Sequence, residues 1–422
     1  MTRAATGASP VPLRRNRDFA LLWSGQVVST VGSEMSALAF PLLVLGLTGS
    51  ARDAGIVGFA RSLPFLLVYL PAGVYVDRWN RKHVMLAADA GRALALGSVA
   101  VWLALGRPPL AWLAVASAIE GCLFVFFQLS ESAALPAVVP KEQLPQAIAQ
   151  NQARMQGAGL VGSPLGGALY GLSRLLPFAV DAVSYAVSFV SLLFVRPAFQ
   201  GERARGERNL RAEVSEGLVW LWRQRFLRTV TGLVAGTNFV HEALGLVLIV
   251  RMRDLGASAA LIGAVFSILG AGSIVGALVA PRVQRRVPAP VVVLASLWVW
   301  PVQTAALFLI PSPIELGVLT AAGFVTGPIF NVVTGAYRYA LVPERLYGRV
   351  ASASLLFSWG SIPLGALFAG YGTAAWGAKP MLLVLAGILL AIALAASASR
   401  DVRNAPPPEE IAAPDSAVAA GS

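Results

Sequence analysis

The chain has 422 residues, 56% of them hydrophobic and only 13% charged, with a formal charge of +12 and a mean hydropathy of +0.69. A water-soluble domain carries nearer a quarter charged residues, which excludes a soluble enzyme or a nucleic-acid-binding domain as the body of the chain. Repeated apolar runs of about twenty residues, the length that crosses a bilayer core, instead predict an all-α membrane protein.

In chain order, residues 1–18 form a polar leader with Arg14, Arg15 and Arg17 and no signal-peptide pattern. Spans are predicted near 19–47, 55–76, 84–105, 110–139, then on to 172, and 177–195, with a short outer loop at 48–53. Residues 196–225 are too rich in Arg and Glu to span, and read as a linker whose segment 213–222 is an amphipathic helix with Trp220 and Trp222 at the membrane interface. Six further runs follow, near 226–250, 259–279, 291–310, 314–341, 348–371 and 379–398, and the Pro- and Ala-rich tail from 400 to 422 lacks the apolar content to fold. The organisation is thus twelve helices in two bundles, 19–195 and 226–399, and nothing in it requires more than a single chain.

With these spans, roughly 25 of the 33 Lys and Arg lie on one side. That puts both termini and the linker in the cytoplasm, with the plasma membrane as the location. The two halves repeat at an offset of about 200 residues: Val139-Pro140 and Pro164-Leu165-Gly166 match Val342-Pro343 and Pro363-Leu364-Gly365, and Gly73 matches Gly276. Ala280 stands where Asp77 would recur, so the acid is kept only in the first copy.

The most specific stretch is Gly73-Val74-Tyr75-Val76-Asp77-Arg78-Trp79-Asn80-Arg81-Lys82-His83. A carboxylate and a basic cluster between two apolar runs read as a tight cytoplasmic loop, with Asn80 expected to turn the chain through the left-handed region. The string resembles the signature between the second and third spans of major facilitator superfamily transporters, with Asn80 in place of the usual Gly. The resemblance implies that Gly73, Asp77, Arg78, Arg81 and Lys82 form a cytoplasmic gate acting against the eleventh span near Gly348 and Arg349. A second string, Gly162-Ser163-Pro164-Leu165-Gly166-Gly167, is similar to the flexible fifth-span motif of the superfamily's drug:proton antiporters, with its proline one residue late. Asp89 and Arg92, placed with the gate, and Asp181 with Ser184, Tyr185 and Ser188, resemble the branch that includes macrolide and siderophore exporters. The arginine that the antiporter branch often carries in its fourth span is missing, and Glu120-Gly121 occupies its neighbourhood.

Ionisable groups in mid-membrane are costly and usually face a cavity or a partner. Glu34 and Glu242, the latter beside His241, lie midway along the first helix of each half, where a central site is expected. With Glu120, they are the candidates for carrying protons or contacting a cationic substrate. Asp181, near the outer end of its span, is a further candidate and is expected to draw solvation from the interface. Glu131, Arg154 and Arg338 lie nearer the cytoplasmic ends, where snorkelling or pairing is expected. One cysteine, Cys122, and two distant histidines support no metal site, and no cofactor is expected beyond a proton gradient. The resulting reading is proton-coupled efflux of a small amphiphilic molecule by alternating access. A facilitator or importer of the same fold, a membrane sensor and a membrane enzyme stand as rivals.

Overall fold

The computed structural model describes residues 12–196, 199 and 210–406. Among these the secondary structure is helical throughout. The first half comprises α1 (Arg17–Thr48), α2 (Ala51–Leu67), α3 (Tyr69–Arg78), α4 (Arg81–Leu105), α5 (Leu110–Val138), α6 (Leu144–Leu172) and α7 (Leu176–Phe194). A linker helix, α8 (Leu210–Arg223), leads into α9 (Arg225–Asp254), α10 (Ala259–Arg286), α11 (Ala289–Ala306), α12 (Pro313–Phe324), α13 (Thr326–Leu341), α14 (Glu344–Trp376) and α15 (Ala378–Ala398), and α16 (Arg400–Arg403) ends the described chain.

Among the described residues ten spans, Pro313–Leu341 among them, are long and apolar enough to cross a membrane, and the pair α2 and α3 makes an eleventh with a 55° bend at Val68. The twelfth is α6. Its Gln, Asn and Arg residues lower its hydropathy, but its 29 residues reach about 43 Å at 1.5 Å per residue. The protein is therefore a twelve-span, all-α membrane protein in two bundles.

Several expected local features differ. The outer loop at 48–53 shrinks to two residues, because Gly49 ends α1 at φ 69° and Ser50 caps α2 by accepting from Asp53 N–H. The second span is not continuous. Pro71, at the third position of α3, has no N–H for the Leu67 carbonyl and its ring crowds that oxygen, so the helix breaks at Val68. Asn80 does not enter the left-handed region: its φ is −69°, and its side chain caps α4 by accepting from Lys82 and His83 N–H. Trp79 and Asn80 turn the chain in extended conformation instead, and Asn serves there because its oxygen satisfies orphan donors.

The two halves make their closest backbone-to-backbone contacts at one end. Where α2 meets α14, an added Cβ on Gly55 would lie 2.6 Å from Gly370 Cα and 2.7 Å from the Ala366 carbonyl oxygen. Where α6 meets α10, a Cβ on Gly167 would strike the Ala259 carbonyl and come within 3.1 Å of Gly263 Cα. Small residues thus let backbone touch backbone across both seams, and Arg52 adds a cation–π contact to Tyr371, 4.9 Å from the ring centre. The largest apolar core cluster is continuous across the halves through this region. At the end carrying Asp77, each half has its own cluster: Leu13, Phe19, Met85, Phe127 and Val195 in one, Leu221, Leu227, Leu346 and Val350 in the other. The molecule is sealed at the Gly55 end, and its apolar packing divides at the Asp77 end.

A buried charge cluster in the first half

Four helices of the first half converge on Glu120. A Cβ on Gly121 would collide with the Arg61 carbonyl oxygen, so this glycine lets α5 lie directly against α2. Arg61 Nε then donates to Glu120 Oε2 at 3.0 Å. From α4, Arg92 donates to Glu120 Oε1 at 3.4 Å, to Tyr185 Oη at 2.6 Å and to Ser33 Oγ at 3.2 Å. Its guanidinium lies 3.9 Å from the Tyr185 ring centre. Tyr185 Oη also contacts Ser33 Oγ at 2.9 Å and donates to Glu120 Oε1 at 3.3 Å, so one phenol joins α1, α4, α5 and α7. Arg61 and Glu120 each lie ten residues from the sealed-end start of their helices, about 15 Å deep, near the middle of a bilayer core.

Arg61 was not singled out from the sequence. The signal was present, since a guanidinium midway along an apolar span is as costly as the acids that were noted. With Arg92 it fills the place of the missing fourth-span arginine: the fourth span supplies the acid, and the second and third supply the cations. Arg61 keeps 32% of its side chain exposed while Glu120 keeps 2%, so Arg61 forms the face of the cluster that solvent reaches. Glu34 of α1 and Glu242 of α9 lie on helices that both pack beside α2 and beside each other. Glu34 is partly buried and Glu242 exposed, so each half brings one mid-span acid to the region beside α2. Phe65, Tyr69 and Phe124 of the first half and Trp359 of the second form a continuous run of edge-to-face contacts with centroids 5.5–5.8 Å apart. Phe124 also lies 5.5 Å from the Arg92 guanidinium, which ties this aromatic wall to the charged face.

The other candidates fall into separate groups. Asp89 and Arg92 do not sit with the gate loop. They are 0% and 2% exposed inside the bundle, because α4 carries them about 12 and 16 Å beyond Arg81. Asp89 accepts from Ser188 Oγ at 2.6 Å, and Gln26 donates to the same serine at 2.7 Å. Asp181 draws nothing from the interface: it is fully buried and its carboxyl group meets Ser36 and Ser184. His241 packs edge-on to Trp300 and Phe324, at 4.9 and 5.6 Å. Gly162 lies against Glu34 Cβ and the Val31 carbonyl, and Gly166 against the Met35 backbone. The fifth-span motif with Pro164 is therefore a contact face towards both α1 and α10. Glu131 and Arg154, each 8% exposed, form a bidentate pair at 2.7 and 3.1 Å.

In the signature loop, Asp77 is 52% exposed and lies 3.9 Å from Arg81. Arg81 donates to the carbonyls of Ala133 and Phe199, and Lys82 to those of Val195 and Leu193. Cations suit helix C-terminal ends, where carbonyls lack partners, so both residues fasten the loop to its own half. Arg78 is exposed, and a Cβ on Gly73 would meet nothing within 4 Å. Arg349, at the start of α14, pairs with Glu216 of α8, and Gly217 sits on its backbone.

The comparisons with known proteins agree with this architecture. The family model described as transmembrane secretion effector matches residues 7–415. The multidrug efflux pump Tap of Mycobacterium tuberculosis is 27% identical over 395 residues, covering 88% of this chain and 90% of Tap. The macrolide efflux protein A of Streptococcus pyogenes is 27% identical over 225 residues, covering 53% and 55%. Among solved structures, a bacterial homolog of the human lysosomal transporter Spinster superposes with TM-score 0.72 at 15% identity, covering 92% of this chain and 96% of that one. A bacterial homologue of the iron transporter ferroportin gives 0.67 at 15% identity, covering 91% and 100%. The chain therefore belongs to the transmembrane secretion effector family of the major facilitator superfamily, and it is a multi-pass membrane transporter of a small molecule.

Proposed function

We propose that this protein exports a small amphiphilic molecule across the plasma membrane in exchange for protons, by alternating access to the cavity that Arg61 faces. The observation that carries this reading is the Arg61–Glu120–Arg92 cluster at mid-span, with a further acid, Glu34 or Glu242, on the first helix of each half beside it. A bundle that moves relative to its partner changes the distances between Arg61 and Glu242, and with them the charge balance of the cavity. The aromatic wall offers apolar surface beside the acids, which suits an amphiphile whose polar end is cationic. Two relatives that bear the name efflux pump or efflux protein favour the outward direction. In this reading both termini and the 196–225 linker face the cytoplasm, the Gly55 end faces outward, and each chain works as a monomer, since both bundles that flank the site belong to one chain. The bundles 19–195 and 226–399 are the moving bodies, with 1–18 and 400–422 as cytoplasmic extensions.

Purified protein in vesicles with an imposed pH gradient tests the coupling. Wild type is expected to accumulate a cationic amphiphilic drug against its gradient. Glu34→Gln and Glu242→Gln together should reduce this to equilibration, with downhill exchange retained. If the double variant concentrates drug like wild type, these two acids are not the coupling groups. If wild type itself ignores the gradient, proton exchange is refuted and a facilitator remains.

A further inference from the structure

The mid-bundle cluster of the first half contains three carboxyl groups, Asp89, Glu120 and Asp181, and two guanidiniums, Arg61 and Arg92. Both guanidiniums engage Glu120, and Arg92 also approaches Asp89 Oδ1 at 3.9 Å. Among the described residues no cationic nitrogen lies within 4.0 Å of Asp181, which is nevertheless 0% exposed. A buried carboxylate needs a cation or a proton to offset lost hydration.

The hydrogens point the same way. Ser36 Oγ lies 2.6 Å from Asp181 Oδ2 and 3.1 Å from the Ser33 carbonyl. Ser184 Oγ lies 3.0 Å from Asp181 Oδ1 and 2.8 Å from the Asp181 carbonyl. Each hydroxyl has one hydrogen, so four contacts share two donors. A proton on Asp181 Oδ2, donated to Ser36 Oγ, frees the Ser36 hydrogen for the Ser33 carbonyl and fills the shortest contact. Gly32 makes the space: a Cβ there would overlap Asp181 Oδ1 and Ser184 Oγ.

The charged and titratable groups around Asp181 are otherwise committed. On α4, Asp89 is held by Ser188 and Arg92 is directed to Tyr185 and Glu120. On α5, Glu120 faces the two arginines. On α1, Glu34 packs against Gly162 of α6, and on α6 itself Arg154 is bound to Glu131. On α7, Tyr185 contacts Ser33 and Arg92.

We propose that Asp181 is a proton-binding site, occupied in the conformation described here, and that this single proton neutralises the three-acid, two-arginine cluster. The proton is sealed from the cavity by α1 and α7. A cation arriving at the face that Arg61 presents adds positive charge next to a neutral cluster and favours loss of the proton, which is the competition an exchanger needs. That last step rests on the proton-coupled reading above, whereas the occupancy of Asp181 does not.

Infrared absorption of the purified, lipid-reconstituted protein at neutral pH tests the occupancy. Wild type is expected to show the C=O stretch of a protonated carboxyl group, equivalent to one group per chain after Glu34→Gln and Glu242→Gln have removed the cavity acids. Asp181→Asn on that background should abolish it, and Ser36→Ala should shift it to higher frequency by removing a hydrogen bond. The Ser36 variant also decides the matter if Asp181→Asn fails to fold. A missing band, or one unchanged in position by Ser36→Ala and in size by a folded Asp181→Asn, overturns the proposal. Failure of vesicle transport to respond to pH while the band behaves as expected counts against the coupling reading alone.

Discussion

Gly370→Ala places a methyl group in the α2–α14 seam, where its Cβ would lie 2.7 Å from Gly55 Cα and 2.9 Å from the Ala51 carbonyl oxygen. All these partners are backbone atoms of a second helix, so no side chain can rotate to make room. Relieving the contact to about 3.4 Å needs the helices to separate by about 0.5–0.7 Å, and overpacking of this kind costs about 1–3 kcal/mol. A conformation in which the seam is parted does not bear that cost, so the balance should shift towards it by roughly 5- to 150-fold. Spin labels at Leu105→Cys and Ala374→Cys, in a Cys122→Ser background, report the separation of the two halves at this end. The expected result is a new, longer distance population in Gly370→Ala. Gly171→Ala is the control, because a Cβ there meets nothing within 4 Å. Identical distance distributions in Gly370→Ala and Gly171→Ala would refute the idea that backbone contact between glycines holds this end shut.

Arg154→Ala leaves Glu131 buried without its bidentate partner and should destabilise the protein by about 3–5 kcal/mol; Glu131→Met with Arg154→Met should recover most of that, as read by thermal unfolding in detergent. Asp77→Asn is expected to abolish transport without loss of protein from the membrane, and wild-type transport in that variant would remove Asp77 from the gate. For orientation, single cysteines at Ser9, Asn209 and Ser416, all outside the described residues, should resist an impermeant thiol reagent in intact cells, and labelling from outside at any of them would reverse the assignment.

Features set by local chemistry were legible in the sequence. The charged string from Asp77 to His83 stands between apolar runs, and Glu34, Glu120 and Glu242 stand out because a charge in a span is expensive. Partnership was not legible. Arg92 reaches Glu120 and Tyr185 across 28 and 93 residues of sequence, and no spacing rule connects them. Depth along a helix misplaced Asp181, because position along the axis says nothing of the hollow that Gly32 opens beside it. The bend at Val68 had its cause in view at Pro71, but an apolar run hides a break that hydropathy averages over. Conversely, α6 is too polar to stand out by hydropathy, and its place in the chain order and its match to the 342–365 helix of the second half are what support it as a span.

The repeat also explains why the acids and the seams belong to one mechanical arrangement. In the first half, Glu34 Cβ rests against Gly162, and five residues along α6 Gly167 meets Ala259 and Gly263 of α10. In the second half, Glu242 Cβ comes within 3.3 Å of the position a Cβ would take on Gly365, and five residues along α14 Gly370 meets Ala51 and Gly55 of α2. Five residues are about 7.5 Å of helix, so each mid-span acid is packed on the helix that seals the opposite half, less than two turns from the seal. A shift of the helix at either acid carries its Cβ directly against the facing backbone, because glycine leaves no flexible atoms there to absorb the shift. The halves differ in what stands behind the acid: arginines and a tyrosine in the first, His241 between aromatic rings in the second. Only the first half thus places guanidiniums beside its mid-span acid, while in both halves the acid rests on a helix that closes a seam.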